Sequence, residues 1–252
     1  MEVFACLDDE HWTKTGPFST IDLERRIYEA LGQHPHIVPY REVNKFGELI
    51  LQRLSKGTMH THLLENDPPF RTRMRWAAQV AHALARVHQC DIVWNDCHFE
   101  NVLIADHGDA AICDFGGAYI KPNPMTSFVI GPPLPFLCPW PSYGQTAMRN
   151  DIFAFGVMLF ALLSKRFPHH HDLSPDLDAC ISINEHHKHR SFDTLSAIKY
   201  PLFSDIIHKC FKLEYSVAGE IVPELEKACN DWVESFEKTW RTLIKVSRPI
   251  MH

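Results

Sequence analysis

No apolar stretch in this 252-residue chain is long enough to cross a bilayer. The longest, Ile152–Leu163, falls short of the roughly 20 residues that a spanning helix needs. Basic charge is not in excess either: 25 Lys and Arg face 31 Asp and Glu, a formal net charge of −6. That balance gives no electrostatic case for nucleic acid or an anionic membrane as partner. The eight cysteines (6, 90, 97, 113, 138, 180, 210 and 229) lack paired spacing, so they read as reduced thiols rather than a disulfide framework. The acidic opening Met1–Glu10 does not read as a signal peptide. These absences predict a cytoplasmic or nuclear protein. The 45% apolar content can bury a good core, in one large or two unequal domains.

The informative stretch is Val87–Tyr119, VHQCDIVWNDCHFENVLIADHGDAAICDFGGAY. It presents Asp96, then Asn101, then Asp114-Phe115-Gly116. Between them Val102–Ala105 and Asp109–Cys113 read as a short hairpin turned by Asp106-His107-Gly108. A carboxylate at a loop tip can accept a proton. An amide and a second carboxylate at the hairpin's ends can hold hard divalent cations through oxygen. Those groups suit phosphoryl transfer, which consists mainly of positioning and of neutralising phosphate charge.

Elsewhere, Met1–Leu7 reads as one strand and is followed by an acidic, polar loop to Ser19. Thr20–Leu31 reads as a helix with apolar Ile21, Leu23, Ile27, Tyr28 and Leu31, capped by Thr20 and ended by Gly32. Ile37–Val43 and Glu48–Leu54 suggest a strand pair. Phe70–Gln89 is an amphipathic helix, and Asp151–Leu163 a helix apolar nearly all round, which belongs at the centre of a core. Lys121–Pro141 holds seven prolines and no helical pattern. His169–Ser191, with six histidines, reads as a solvated loop rather than a metal site, because no Cys or carboxylate partner stands at ligand spacing. Pro201–Leu213 and Val217–Val246 read as two closing helices, the second with Leu225, Trp232, Val233, Phe236 and Trp240 as apolar positions.

Asp96…Asn101…Asp114-Phe115-Gly116 resembles the catalytic loop and D-F-G segment of eukaryotic protein kinases. LERRIYEALGQHPHIVPY resembles the N-lobe helix of that family and the strand entry after it, and D-I-F-A-F-G resembles its central C-lobe signature. The likeness runs from about Leu23 to Glu220, and in style it resembles small fungal kinase-like proteins. It implies an α+β, protein kinase-like two-lobed fold: a truncated β-rich N-lobe over residues 1–54 and a mainly helical C-lobe over residues 55–252. It also implies ATP-dependent phosphorylation of a protein hydroxyl, Ser/Thr by preference, with Mg²⁺ or Mn²⁺. On this match Asp96 is the catalytic base, while Asn101 and Asp114 are the metal ligands. Leu51 is the gatekeeper and Gln52-Arg53-Leu54 the hinge. Gln52, Leu54, Leu103 and Glu24 are the nucleotide-site residues.

The departures from the family pattern carry expectations of their own. There is no G-x-G-x-x-G, and Met1–Leu7, the strand available for the family's lysine, holds none, the first Lys being Lys14 in the polar loop. Either the start of the sequence lies too late to include them, or nucleotide is bound poorly, which predicts slow catalysis or a non-catalytic scaffold. Asn95 replaces an Arg, which removes activation by phosphorylation. Trp94 replaces a His and fills the space beside Phe115 and Tyr28. No acid stands near Cys138-Pro139-Trp140, so an ion pair with the C-lobe is lost. His98, two residues after Asp96, matches aminoglycoside and choline phosphotransferases instead, a third reading. A stunted N-lobe also predicts an exposed face at Ile27 and Leu31.

Overall fold

A computed structural model describes residues 3–121, 131–142, 147–192 and 201–246. Strands β1 (Val3–Cys6), β2 (His11–Thr15), β3 (Tyr40–Val43) and β4 (Leu49–Gln52) form an antiparallel sheet in the order β1-β2-β4-β3. Strand β2 corrects the sequence reading, which assigned residues 8–19 to a loop. The chain reverses at Asp8–Glu10, where the Asp8 carboxylate accepts from the Glu10 N–H at 2.8 Å. His-Trp-Thr-Lys-Thr then pairs with β4, Trp12 opposite Leu51 and Lys14 opposite Leu49. Aromatic and β-branched residues favour a strand. A charged residue at an inward position hid the alternation.

Helix α1 (Phe18–Leu31) begins behind Pro17, two residues before the expected Thr20 cap. The fixed φ of proline starts the turn, and the Thr20 and Ile21 N–H groups bond the Pro17 carbonyl. It ends at Gly32, whose φ of 64° suits a residue without Cβ. Ile27 and Leu31 are fully buried, contrary to the expected exposed face. Tyr28 of the same helix stacks on Tyr40 of β3, and Arg86 from the helical part hydrogen-bonds the Leu31 carbonyl. The small sheet and the helical part therefore close over α1. On α1 it is Phe18, the first residue, that is exposed, at 82%.

The helical part holds α2 (Met59–Glu65), α3 (Phe70–Gln89), α4 (Met148–Ser164), α5 (Leu177–Lys188), α6 (Pro201–Phe211) and α7 (Ile221–Val246). Two short pairs lie beside it: β5 (Ile92–Val93) with β8 (Tyr119–Ile120), and β6 (Val102–Ile104) with β7 (Ala110–Ile112). Within α4, every residue from Asp151 to Leu163 is buried, as its all-round apolarity requires. Gly156 permits α6 to approach: a Cβ there would meet the Cys210 Cβ at 2.5 Å. Buried Arg73 of α3 closes the other end of α4 by donating to the Leu162 and Leu163 carbonyls. These are orphan acceptors of a helix C-terminus, and a guanidinium supplies donors for them.

Helix α5 corrects the solvated-loop reading of His169–Ser191. Asp176 caps it, accepting from the Ala179 N–H at 2.8 Å, and His187 is fully buried against Phe153 and Phe211. Of the expected activation segment, residues 122–130 lie outside the described residues, as do Met1 and the Trp240 side chain.

Candidate active site

Lys14 has no accessible surface, and its Nζ lies 2.8 Å from Glu24 Oε2 and 2.8 Å from Asp114 Oδ1. A buried ammonium is costly unless paired, and two carboxylates pair it here. Strand β2 supplies the lysine, α1 the glutamate, and the segment after β7 the aspartate. Sequence reading missed Lys14. The signal was the alternation of Trp12 and Lys14 on one face of a five-residue strand, ten positions before Glu24. Glu24 is itself fully buried, so it acts by holding Lys14 and by accepting from the Phe115 N–H at 3.0 Å. Burial raises its pKa; Lys14 pulls it back down, and Asp114 adds to the rise.

The catalytic loop hangs from α4. Asp151, buried in the first turn of that helix, accepts from the Trp94 N–H at 2.8 Å and the Asn95 N–H at 2.7 Å. His88 of α3 orients this carboxylate. Its Nδ1 accepts from the Ala218 N–H at 2.9 Å, so its hydrogen sits on Nε2, 3.1 Å from Asp151 Oδ2. Trp94 is fully buried, and its indole N–H reaches the carbonyls of Cys113 (3.2 Å) and Asp114 (3.0 Å). It packs on Phe115, which meets Tyr28 edge-on at 5.0 Å. One row of rings thus joins the loop, the D-F-G segment and α1.

Asp96 follows Asn95, whose φ of 64° turns the chain, and Asp114 likewise has a φ of 57°. Left-handed backbone at two non-glycine residues of one site is costly and is held by these surrounding bonds. Asn101 Nδ2 donates to the Asp96 carbonyl (3.1 Å) and to Asp96 Oδ2 (2.9 Å). His98 Nε2 lies 3.3 Å from Asp96 Oδ1. Because the amide N of Asn101 is bound to Asp96, its amide oxygen remains as a ligand. Asp114 keeps 24% of its side chain accessible while Lys14 and the Gly116 N–H fix Oδ1. One amide and one carboxylate oxygen, each oriented by a neighbour, fit a hard divalent cation.

At the hinge, the Gln52 N–H bonds the Pro39 carbonyl and the Arg53 N–H bonds the Glu10 carbonyl. Among the described residues, the Leu54 N–H makes no backbone hydrogen bond. Leu103 is half-buried on β6 and bridges to Thr58, just beyond the hinge. The Arg53 guanidinium lies 5.4 Å from the Trp12 ring. Where the activation segment rejoins the helices, Arg190 sits 4.3 Å over the ring of Trp140. A cation–π contact therefore stands where the sequence led us to expect a missing ion pair. Asn184 of α5 donates to the Leu134 and Leu137 carbonyls and holds the same segment. All eight cysteines are unpaired, and burial pushes the Cys97 and Cys113 thiols up, which leaves them inert.

Comparison with known proteins agrees with this geometry. The family model described as protein kinase domain matches residues 6–217. The chain is 32% identical over 127 residues to the Arabidopsis thaliana protein named "Probable LRR receptor-like serine/threonine-protein kinase RKF3", covering 47% of this chain and 21% of that one. It is 28% identical over 156 residues to serine/threonine-protein kinase kin-29 of Caenorhabditis elegans, covering 59% and 19%. It is 29% identical over 171 residues to serine/threonine-protein kinase SBK2 of Rattus norvegicus, covering 60% and 47%. The matches thus span less than half the length of these relatives. With most of its length matched by one family model and the lysine, glutamate, aspartate and asparagine of the site assembled, the chain belongs to the protein kinase domain family.

Proposed function

We propose that this domain is a competent protein kinase that transfers the terminal phosphoryl group of ATP to a Ser or Thr hydroxyl of a protein. The observation that carries the reading is Lys14, buried between Glu24 and Asp114 at 2.8 Å from each. A scaffold has no need to maintain a buried cation beside the D-F-G aspartate. A phosphoryl-transfer site needs a charge there to anchor phosphate.

The geometry supports the remaining roles. Asp96, one oxygen on Asn101 and the other beside His98, would orient the acceptor hydroxyl and take its proton. Asn101 and Asp114 would hold Mg²⁺ or Mn²⁺, which neutralises phosphate charge when bound. The Leu54 N–H, Gln52 and Leu103 would meet the base. Lys14 and the metal ligands would meet the phosphates of the nucleotide. Among the described residues no helix is long and apolar enough to cross a membrane.

The test is phosphate transfer from labelled ATP to generic protein substrates, compared with the Asp96→Asn and Lys14→Met variants. Labelled protein that disappears in both variants supports the reading. Phosphate found only on an aminoglycoside or choline acceptor would overturn the choice of acceptor. No transfer and no ATP-dependent stabilisation would overturn the enzyme.

A further inference from the structure

The turn between α4 and α5 brings three metal-ligating side chains to one point. His170, His171 and Asp172 place one donor atom each within 4.8 Å of one another. His170 Nε2 lies 3.2 Å from Asp172 Oδ1, and His171 Nε2 lies 3.1 Å from Asp172 Oδ2. The two imidazoles sit with centroids 4.3 Å apart, both presenting Nε2 to the same carboxylate. For a tetrahedral ion with bonds of 2.0–2.1 Å, neighbouring ligand atoms are about 3.3 Å apart. Both nitrogen-to-carboxylate separations are close to that edge.

The backbone of this turn is fixed without any ion. The Phe167 N–H bonds the Asp172 carbonyl at 2.9 Å, the His170 N–H bonds the Phe167 carbonyl at 3.1 Å, and Arg166 donates to the His170 carbonyl. Asp172 Oδ1 is held by the Ser174 N–H at 2.8 Å. Phe167 packs on Phe136 at 5.4 Å and on Phe99 at 6.1 Å, which ties the turn to the catalytic loop. The sequence reading passed over Asp172 because three consecutive ligands do not follow the spacing of a helix or a zinc finger.

The geometry points to a second metal site at His170, His171 and Asp172, separate from Asn101 and Asp114 and selective for a zinc-class divalent ion. Two imidazole nitrogens and one carboxylate suit zinc, whereas Mg²⁺ prefers oxygen. His171 is 82% accessible at its side chain, so water completes the coordination. Occupancy would clamp the turn that carries Phe167 and so brace Phe99 beneath the catalytic loop.

The test uses the full chain, stripped with a chelator and dialysed. Zn²⁺ binding is measured by competition with a chromophoric chelator, and Co²⁺ substitution is followed by its visible absorption. One equivalent of Zn²⁺ is expected to bind, with affinity falling at least about tenfold in both His171→Ala and Asp172→Asn. Asp114→Asn should bind Zn²⁺ like the parent. His171 is on the surface, so its replacement leaves the fold intact, and thermal stabilisation by Zn²⁺ should vanish with it. Unchanged affinity in both variants would overturn the site. So would a loss seen instead in His186→Ala, whose ring stacks on His169 at 4.0 Å and offers the rival location.

Discussion

Lys14 Nζ donates to Asp114 Oδ1 at 2.8 Å across 100 positions of sequence, and the same ammonium contacts Glu24. This one contact joins the sheet, the N-terminal helix and the D-F-G segment in the arrangement a phosphate-anchoring site requires. It removes the reason to expect a chain without a lysine anchor.

Replacing the lysine tests both halves of that relationship. Lys14→Met should abolish transfer and also destabilise the fold, because Glu24 is left buried without its cation. Breaking such a pair typically costs about 3–5 kcal/mol. Urea denaturation of Lys14→Met and of Lys14→Met/Glu24→Leu separates the effects. The double variant should regain stability without regaining activity.

Asp96→Asn and Asp114→Asn should fail in different ways. The first removes the proposed base and should lower turnover by about 10²–10⁴-fold with nucleotide affinity nearly unchanged. The second removes a proposed metal ligand and should weaken metal-dependent ATP binding. Thermal shifts with ATP and Mg²⁺, set beside steady-state rates, distinguish them. Equal loss of ATP binding in both variants would contradict the separation of roles.

His187 makes the fold acid-sensitive. Its two ring nitrogens have no hydrogen-bond partner among the described residues, and burial, aided by the charges of His169 and His186, lowers its pKa to about 4. The unfolded chain takes up this proton near pH 6.5, and the folded chain only near 4. Stability is therefore complete above pH 6.5 and falls as pH drops toward 4, by about 3 kcal/mol from this residue. In His187→Phe, which sits between Phe153 and Phe211, denaturation midpoints should vary less across that window.

The Arg190–Trp140 contact should contribute about 0.5–2 kcal/mol. Arg190→Ala should lower the unfolding midpoint and slow transfer to protein substrate by loosening the end of the activation segment. Trp140→Glu should lose less than Trp140→Ala, since a carboxylate can pair with the same guanidinium. If the two Trp140 variants behave alike, the ring's packing on Phe153 and Phe192 is what matters.

Some of this was legible in the residues alone. The order Asp96, Asn101, Asp114 was, because proton transfer and divalent-ion binding admit few residue types and the hairpin between them has clear turn chemistry. So were α3 and α4: one has a 3.6-residue stripe and the other is apolar on all sides, and both patterns report burial directly. What the sequence could not decide were the positions whose environment comes from elsewhere in the chain. Lys14 reads as a solvated charge until Glu24 and Asp114 close on it. Ile27 and Leu31 read as exposed until the sheet and α3 cover them, and His187 reads as a surface histidine until Phe153 and Phe211 enclose it. In each case the side chain's energy depends on desolvation and on partners distant in sequence. Local periodicity determines the elements, while only tertiary packing sets whether a charge is solvated, paired or buried.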